Sequence, residues 1–168
     1  MKKIYACLVT CFLFLGLYAT NLSPWRLGYN RTDSLPLGLY LAHRAPQALE
    51  RGDYVCFRYR EPSWAVGRYL PDGAQLCKEV LGLPGDTVLQ EQNALYLVHG
   101  GKRAPLGSLL SADSKGRAVP VQSWGTTVIP PGQFYLGSTR IPTSFDSRYL
   151  GLISQSDILA RIYPLLTF

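Results

Sequence analysis

GDYVCFRYR, residues 52–60, opens on a Gly-Asp turn pair and runs on in aromatic and β-branched residues with polar ones between them. A period of two sends successive side chains to opposite faces of an extended chain, so this stretch reads as a β-strand. GLYLAHR (38–44) reads the same way. QLCKEVL (75–81) is a further strand, stopped by the turn GLPGD (82–86). TVLQEQNALYLVHGG (87–101) has the pattern of a hairpin turning near Gln92 and Asn93. Residues 101–123 are polar and rich in turn formers, which predicts a surface excursion. VIPPGQFYLGSTR (128–140) gives a turn and a strand, and SFDSRYLGLISQSDILARIYPL (144–165) a tight corner and a last strand. The expectation is a mainly β fold, a single antiparallel β domain over residues 26–168.

Composition agrees. The chain has 168 residues, 47% hydrophobic and 17% charged, which excludes a disordered polymer. Sixteen Gly and twelve Pro without a repeat exclude collagen and ask for many turns. The net charge of +6 is spread thinly, with no block of like charges, so no nucleic-acid partner is expected.

Residues 4–25 carry no charge, after Lys2 and Lys3 and before Arg26. A helix of about 20 apolar residues spans a bilayer core. The flanking charges predict a single N-terminal transmembrane helix with its start in the cytoplasm, leaving the remaining chain on the periplasmic side of the inner membrane. Tyr18 and Trp25 are placed for its far interface. A cleaved signal peptide is the competing reading, but cutting after Ala19 would put Leu17 where a small residue is wanted. The division expected is an anchor over 1–25, contacting membrane lipid, and an extracytoplasmic domain over 26–168. In that compartment Cys56 and Cys77, outside the apolar run, are candidates for a bridge between adjacent strands, with Cα atoms roughly 4.4–6.8 Å apart. Cys7 and Cys11 fall inside the run. No CxxC or histidine pair offers a metal site, His43 and His99 stand alone, and no cofactor is called for.

Two residues carry possible chemistry. Ser34, in Thr32-Asp33-Ser34-Leu35-Pro36, follows the apolar run closely enough to sit near a bilayer surface; read alone, it is a turn or cap serine. Lys78 lies among Cys77, Val80 and Leu81. Either it snorkels to water, or it is desolvated, which lowers its pKa and frees an amine to take a proton from a serine hydroxyl.

The boxes SLPLGLY (34–40), GDYVCF (52–57), KEVLGLPGD (78–86) and SFDSRYLG (144–151), in this order, resemble those of the type I signal peptidases, enzymes built on a Ser-Lys pair. The likeness is greatest to the conjugative-transfer, TraF-type branch. One residue, not two, separates Ser34 from Pro36; there is one apolar run; and SADSKGRAVP (111–120) is similar to a stretch of that branch. GSTRIPTSFDSR (137–148) lacks the Asp and Asn of the housekeeping box.

The resemblance implies a signal-peptidase fold and a serine endopeptidase with Ser34 as nucleophile and Lys78 as general base. It implies Thr32 and the Ser34 N–H as oxyanion donors, Ser144 as a hydrogen-bond partner orienting Lys78, and an Asp146–Arg148 ion pair holding the corner. Gly82, Pro84, Gly85 and Asp86 are expected to fix the turn after the lysine strand. Leu35, Leu76 and Cys77 are expected to line small apolar subsites for an Ala-x-Ala-like segment. The implied substrate is a secreted precursor, a pilin subunit in the conjugative branch, whose acyl-enzyme is released by water or by an amine that closes a ring. Two alternatives stay open: a housekeeping signal peptidase I, and a non-catalytic anchored scaffold of a transfer apparatus.

Overall fold

The computed structural model describes residues 3–5, 7, 9–11, 16, 23–44, 48–120 and 122–168. Those described between 3 and 16 are helical. Among the described residues no helix is long and apolar enough to cross a membrane. Most of the 4–25 run, and with it the expected transmembrane helix and the Ala19 cleavage point, lies outside the described residues.

From residue 25 onward the alternating stretches become strands: β1 (Trp25–Asn30), β2 (Gly38–Arg44), β3 (Tyr54–Arg58), β4 (Gln75–Gly82), β5 (Thr87–Glu91), β6 (Ala94–His99), β7 (Lys102–Ser108), β8 (Thr126–Val128) and β9 (Gln133–Gly137). A short helix α1 (Ser147–Leu150), β10 (Ile153–Ser154) and β11 (Ile158–Thr167) follow. They form a seven-stranded sheet ordered β1-β2-β11-β3-β4-β9-β10 and a four-stranded sheet ordered β7-β6-β5-β8. Each recorded pairing is antiparallel.

β3 is buried on both faces. Val55 and Phe57 pack with Val80, Phe134, Leu136, Ile153 and Ile158 on one side. Cys56 packs with Leu35, Tyr40 and Ile162 on the other. A third cluster, built on Leu81, Val88, Leu95, Leu97, Trp124, Ile129 and Tyr135, joins the two sheets. β4 serves all three, with Val80, Cys77 and Leu81 each packed in a different cluster.

The strands missed in the sequence are β1, β7, β8 and the two-residue β10. Trp25 does not end an apolar helix; it starts β1, 4.4 Å from the His43 ring and 6.0 Å from that of Tyr163. β7 lies at a sheet edge with all but Leu106 exposed, so no alternation marks it. Its Pro105 and Gly107 are tolerated because an edge strand leaves one side of its backbone unpaired. The β5–β6 hairpin turns at Gln92 and Asn93, between Glu91 and its partner Ala94, with Gln92 in the left-handed region.

The turn after β4 is tied by Asp86. Its carboxylate accepts from the Leu83 N–H at 2.7 Å and from Arg51 at 2.8 Å, and meets His99 Nδ1 at 2.6 Å. Burial alone would raise its pKa; those three bonds outweigh burial and hold it below the usual carboxylate range. Gly82 has no room for a side chain, since a Cβ would fall 2.6 Å from Ile129 Cδ1.

Cys56 and Cys77 face each other in the β3–β4 register and are joined by a disulfide. Their Cα atoms are 4.0 Å apart, closer than the range expected from sequence. The non-hydrogen-bonded positions of an antiparallel pair, where strands come closest, account for the shorter span.

The bridge closes a loop with a sequence separation of 21. Replacing both residues (Cys56→Ser with Cys77→Ser) should therefore cost about 3 kcal/mol, read as a lower denaturation midpoint. Alkylation of the unfolded, unreduced protein should label Cys7 and Cys11 alone, and labelling of Cys56 would contradict the pairing.

Candidate active site

Ser34 sits on the loop joining β1 to β2, and Lys78 on β4. The fold brings them together: Lys78 Nζ lies 2.8 Å from Ser34 Oγ, and both residues are buried, at 5% and 4% exposure. Burial pushes the Lys78 amine below its ordinary value. The charge of Asp146 works to raise it and that of Arg148 to lower it again. An amine that gives up its proton readily, at hydrogen-bond distance from a hydroxyl, is the geometry required of a base and its nucleophile.

The loop that carries Ser34 is shaped by its ends. Asn30, the last residue of β1, pairs with Gly38, the first of β2. Gly38 is required there, because a Cβ would fall 2.0 Å from the Leu166 carbonyl oxygen. Leu35, 1% exposed, anchors the loop in the core, and Tyr40 Oη donates to the Pro36 carbonyl at 2.7 Å. Arg140 Nε reaches the Asp33 carbonyl at 3.4 Å. That carbonyl shares a peptide plane with the Ser34 N–H.

Thr32 Oγ1 lies 3.3 Å from Ser34 Oγ. Its closer partner is Asn30 Oδ1 at 2.9 Å, which receives the hydroxyl proton. Ser144 Oγ is buried and has no hydrogen-bond partner among the described residues, so the expected bond to Lys78 is not formed in this structure.

The Asp146–Arg148 pair is buried, each residue 1% exposed. Arg148 Nε and one terminal nitrogen bond the two carboxylate oxygens at 2.9 Å each. The remaining guanidinium N–H groups reach the carbonyls of Pro142 at 2.7 Å, Ser144 at 3.0 Å and Ser108 at 3.5 Å. All five donors of the guanidinium are thereby used. Asp146 also caps α1, accepting from the Arg148 N–H. Gly107, at φ 111°, makes room: a Cβ there would meet the guanidinium at 2.8 Å.

Leu35, Leu76 and Cys77 do not share a pocket. Successive residues of β4 point to opposite faces, so Leu76 packs beside Val80 while Cys77 packs beside Tyr40. Leu35 is core. Next to the Ser34 loop lies a cavity of about 140 Å³ between Tyr29, Asn30, Tyr40, Cys77 and Ile162, so of the three only Cys77 lines it. Of the residues shaping the site, sequence reasoning missed Asn30. The signal present was an Asn two residues before a Thr at the mouth of a turn, the spacing at which Asn side chains bond backbone N–H groups.

The family model described as signal peptidase, peptidase S26 matches residues 1–166. The chain is 35% identical over 150 residues to a conjugal transfer protein TraF of Agrobacterium fabrum, covering 83% of this chain and 81% of that one. It is 34% identical over 149 residues to a plasmid transfer protein TraF of Escherichia coli, covering 83% and 82%. It is 34% identical over 98 residues to signal peptidase I V of Bacillus subtilis, covering 55% and 58%.

Two stability outcomes follow from the geometry. Because the native pKa of Lys78 is lowered from 10.5, there is a window below that value in which the unfolded chain holds a proton the native one has lost. Stability then rises with pH through that window. Lys78→Met should remove this rise and melt no lower than the parent at neutral pH, measured by thermal scans across pH. Arg148→Ala strands a buried carboxylate and should cost about 3–5 kcal/mol, read by chemical denaturation.

Proposed function

The chain belongs to the signal peptidase, peptidase S26 family, and on that premise we propose that it is a membrane-associated serine endopeptidase with Ser34 as nucleophile and Lys78 as general base. The observation that carries the reading is the 2.8 Å approach of Lys78 Nζ to Ser34 Oγ inside a buried site that disfavours the ammonium.

The chemistry balances without a cofactor. Neutral Lys78 takes the Ser34 hydroxyl proton as Oγ bonds to the scissile carbonyl carbon. The oxyanion forms beside the Ser34 N–H and the Thr32 hydroxyl, which turns away from Asn30 to donate. The tetrahedral intermediate breaks its C–N bond, and the Lys78 ammonium returns the proton to the leaving nitrogen. The Ser34 ester carbonyl is then attacked by water or by an amine, deprotonated by the again neutral Lys78; the second tetrahedral intermediate breaks its C–Oγ bond, and the Lys78 ammonium returns the proton to Ser34 Oγ. Asp146 and Arg148 hold the corner beside this lysine. Ser144, buried in the same corner, is the residue proposed to orient the Lys78 amine once a precursor is bound.

The substrate proposed is a secreted precursor, of pilin type, in a transfer apparatus. The names of the conjugal and plasmid transfer relatives support this. β1 ends at the nucleophile loop and pairs on one side only, with β2, which suits addition of an extended precursor segment.

The apolar run before β1 is proposed as the membrane anchor and the chain from Trp25 on as the extracytoplasmic domain. Two features support that placement. The Cys56–Cys77 disulfide suits an oxidising compartment. One sheet face, continuous with the apolar run, is uncovered: Leu27, Leu41 and Tyr163 stand in one row and Tyr29, Leu39 and Leu166 in the next. All of these but Leu41 are exposed.

Co-expression with candidate pilin precursors tests the function. Wild type should yield shortened product, while Ser34→Ala and Lys78→Ala should each abolish processing in a folded protein. A product lighter than the linear chain by one water marks the amine route. Loss of conjugation alone on depletion supports the transfer role, whereas broad loss of secretory processing would assign a housekeeping one. Activity should climb with pH as Lys78 loses its proton; a flat profile from about pH 6 to 10 would exclude lysine as the base.

A further inference from the structure

The β1–β2 loop is organised from inside by one amide. Asn30 Nδ2 donates to the carbonyls of Thr32 at 2.8 Å, Leu35 at 3.1 Å and Pro36 at 3.0 Å. Asn30 Oδ1 accepts from the Thr32 N–H at 3.2 Å and from Thr32 Oγ1 at 2.9 Å. Every partner of the nitrogen is a carbonyl and both partners of the oxygen are donors, so the amide has one chemically consistent orientation. Two amide hydrogens serve three carbonyls, one of them shared.

We propose that Asn30 is the positioning residue of the nucleophile: it sets the path of residues 31–37, and so the place of Ser34 Oγ against Lys78 Nζ. This rests on the peptidase reading above. Ser34 lies between the Thr32 and Leu35 carbonyls that Asn30 gathers, and it is the one loop residue bonded across to β4. Without the amide, the part-buried carbonyls of Leu35 and Pro36 would converge with no shared donor, and the loop would open to hydrate them. Tyr40 reaches only Pro36 and does not replace it.

Asn30 also sets a proton. The single Thr32 hydroxyl hydrogen goes to Asn30 Oδ1, so Thr32 donates nothing to Ser34 Oγ, 3.3 Å away. In the resting site, therefore, the Ser34 hydroxyl hydrogen is left for Lys78 Nζ, 2.8 Å away. Thr32 becomes an oxyanion donor only by releasing Asn30.

Asn30→Asp is the sharp test. It keeps size and the acceptor oxygen but removes both N–H groups and sets a carboxylate against three carbonyls. With full-length protein in detergent and a precursor as substrate, kcat should fall by about 100-fold, the scale of an ångström of misplacement, while KM stays within about threefold. The melting temperature reports folding separately. Amide exchange on the wild type supplies a measurement independent of the variant: the Thr32 N–H should exchange more slowly than those of Arg31 and Asp33.

A wild-type kcat in Asn30→Asp, a loss confined to KM, or an unprotected Thr32 amide would overturn the assignment while leaving the peptidase reading intact. Processing that survives Ser34→Ala would instead remove that reading, and this inference with it.

Discussion

A lysine amine held out of water against a hydroxyl is the constraint on which the site depends. Burial penalises the charged form, and a carboxylate placed nearby would restore it. Asp146 is such a carboxylate, yet both of its oxygens are committed to Arg148. The guanidinium offsets the acid, so the corner supplies shape next to Lys78 without holding it protonated. Reading the pair simply as a salt bridge that stabilises the fold would miss this, because buried pairs are weak contributors in themselves.

Ser34 and Lys78 are held by different means. Lys78 belongs to a strand, braced by the disulfide one residue before it and by the Asp86 turn after it. Strand positions are rigid without further help. Ser34 belongs to a loop, and a loop keeps its place only where its backbone polar groups are satisfied. Asn30, Tyr40 and the buried Leu35 do that work from three directions.

Much of this was legible in the chain. Alternation in 38–44, 52–60 and 75–81 marked the central strands, because each of them sends apolar residues into a buried cluster. The boxes around Ser34 and Lys78 marked residues that the fold brings within hydrogen-bond distance. β1 was hidden because its apolar residues Leu27 and Tyr29 face outward and leave no buried face for an alternation to mark, while Trp25 closes the uncharged run. β7 was hidden for a like reason, having almost nothing buried. Of Leu35, Leu76 and Cys77, Leu76 falls on the other face of β4 from Cys77, because nearness in sequence says nothing about which face of a strand a side chain takes. Asn30 was overlooked since its value lies in five hydrogen bonds to its own loop, and no composition or period reports that.

The last residue of the sequence is tied into this arrangement as well. Gly38 lets the end of β11 cross close over β2, and the Phe168 N–H donates to the Leu37 carbonyl at 3.1 Å. Any peptide fused after Phe168 thus begins beside the loop that bears Ser34. An affinity handle or fluorescent reporter attached there would crowd the Ser34 loop, whereas the tip of the β5–β6 hairpin at Gln92 and Asn93 offers an attachment point that leaves this loop untouched.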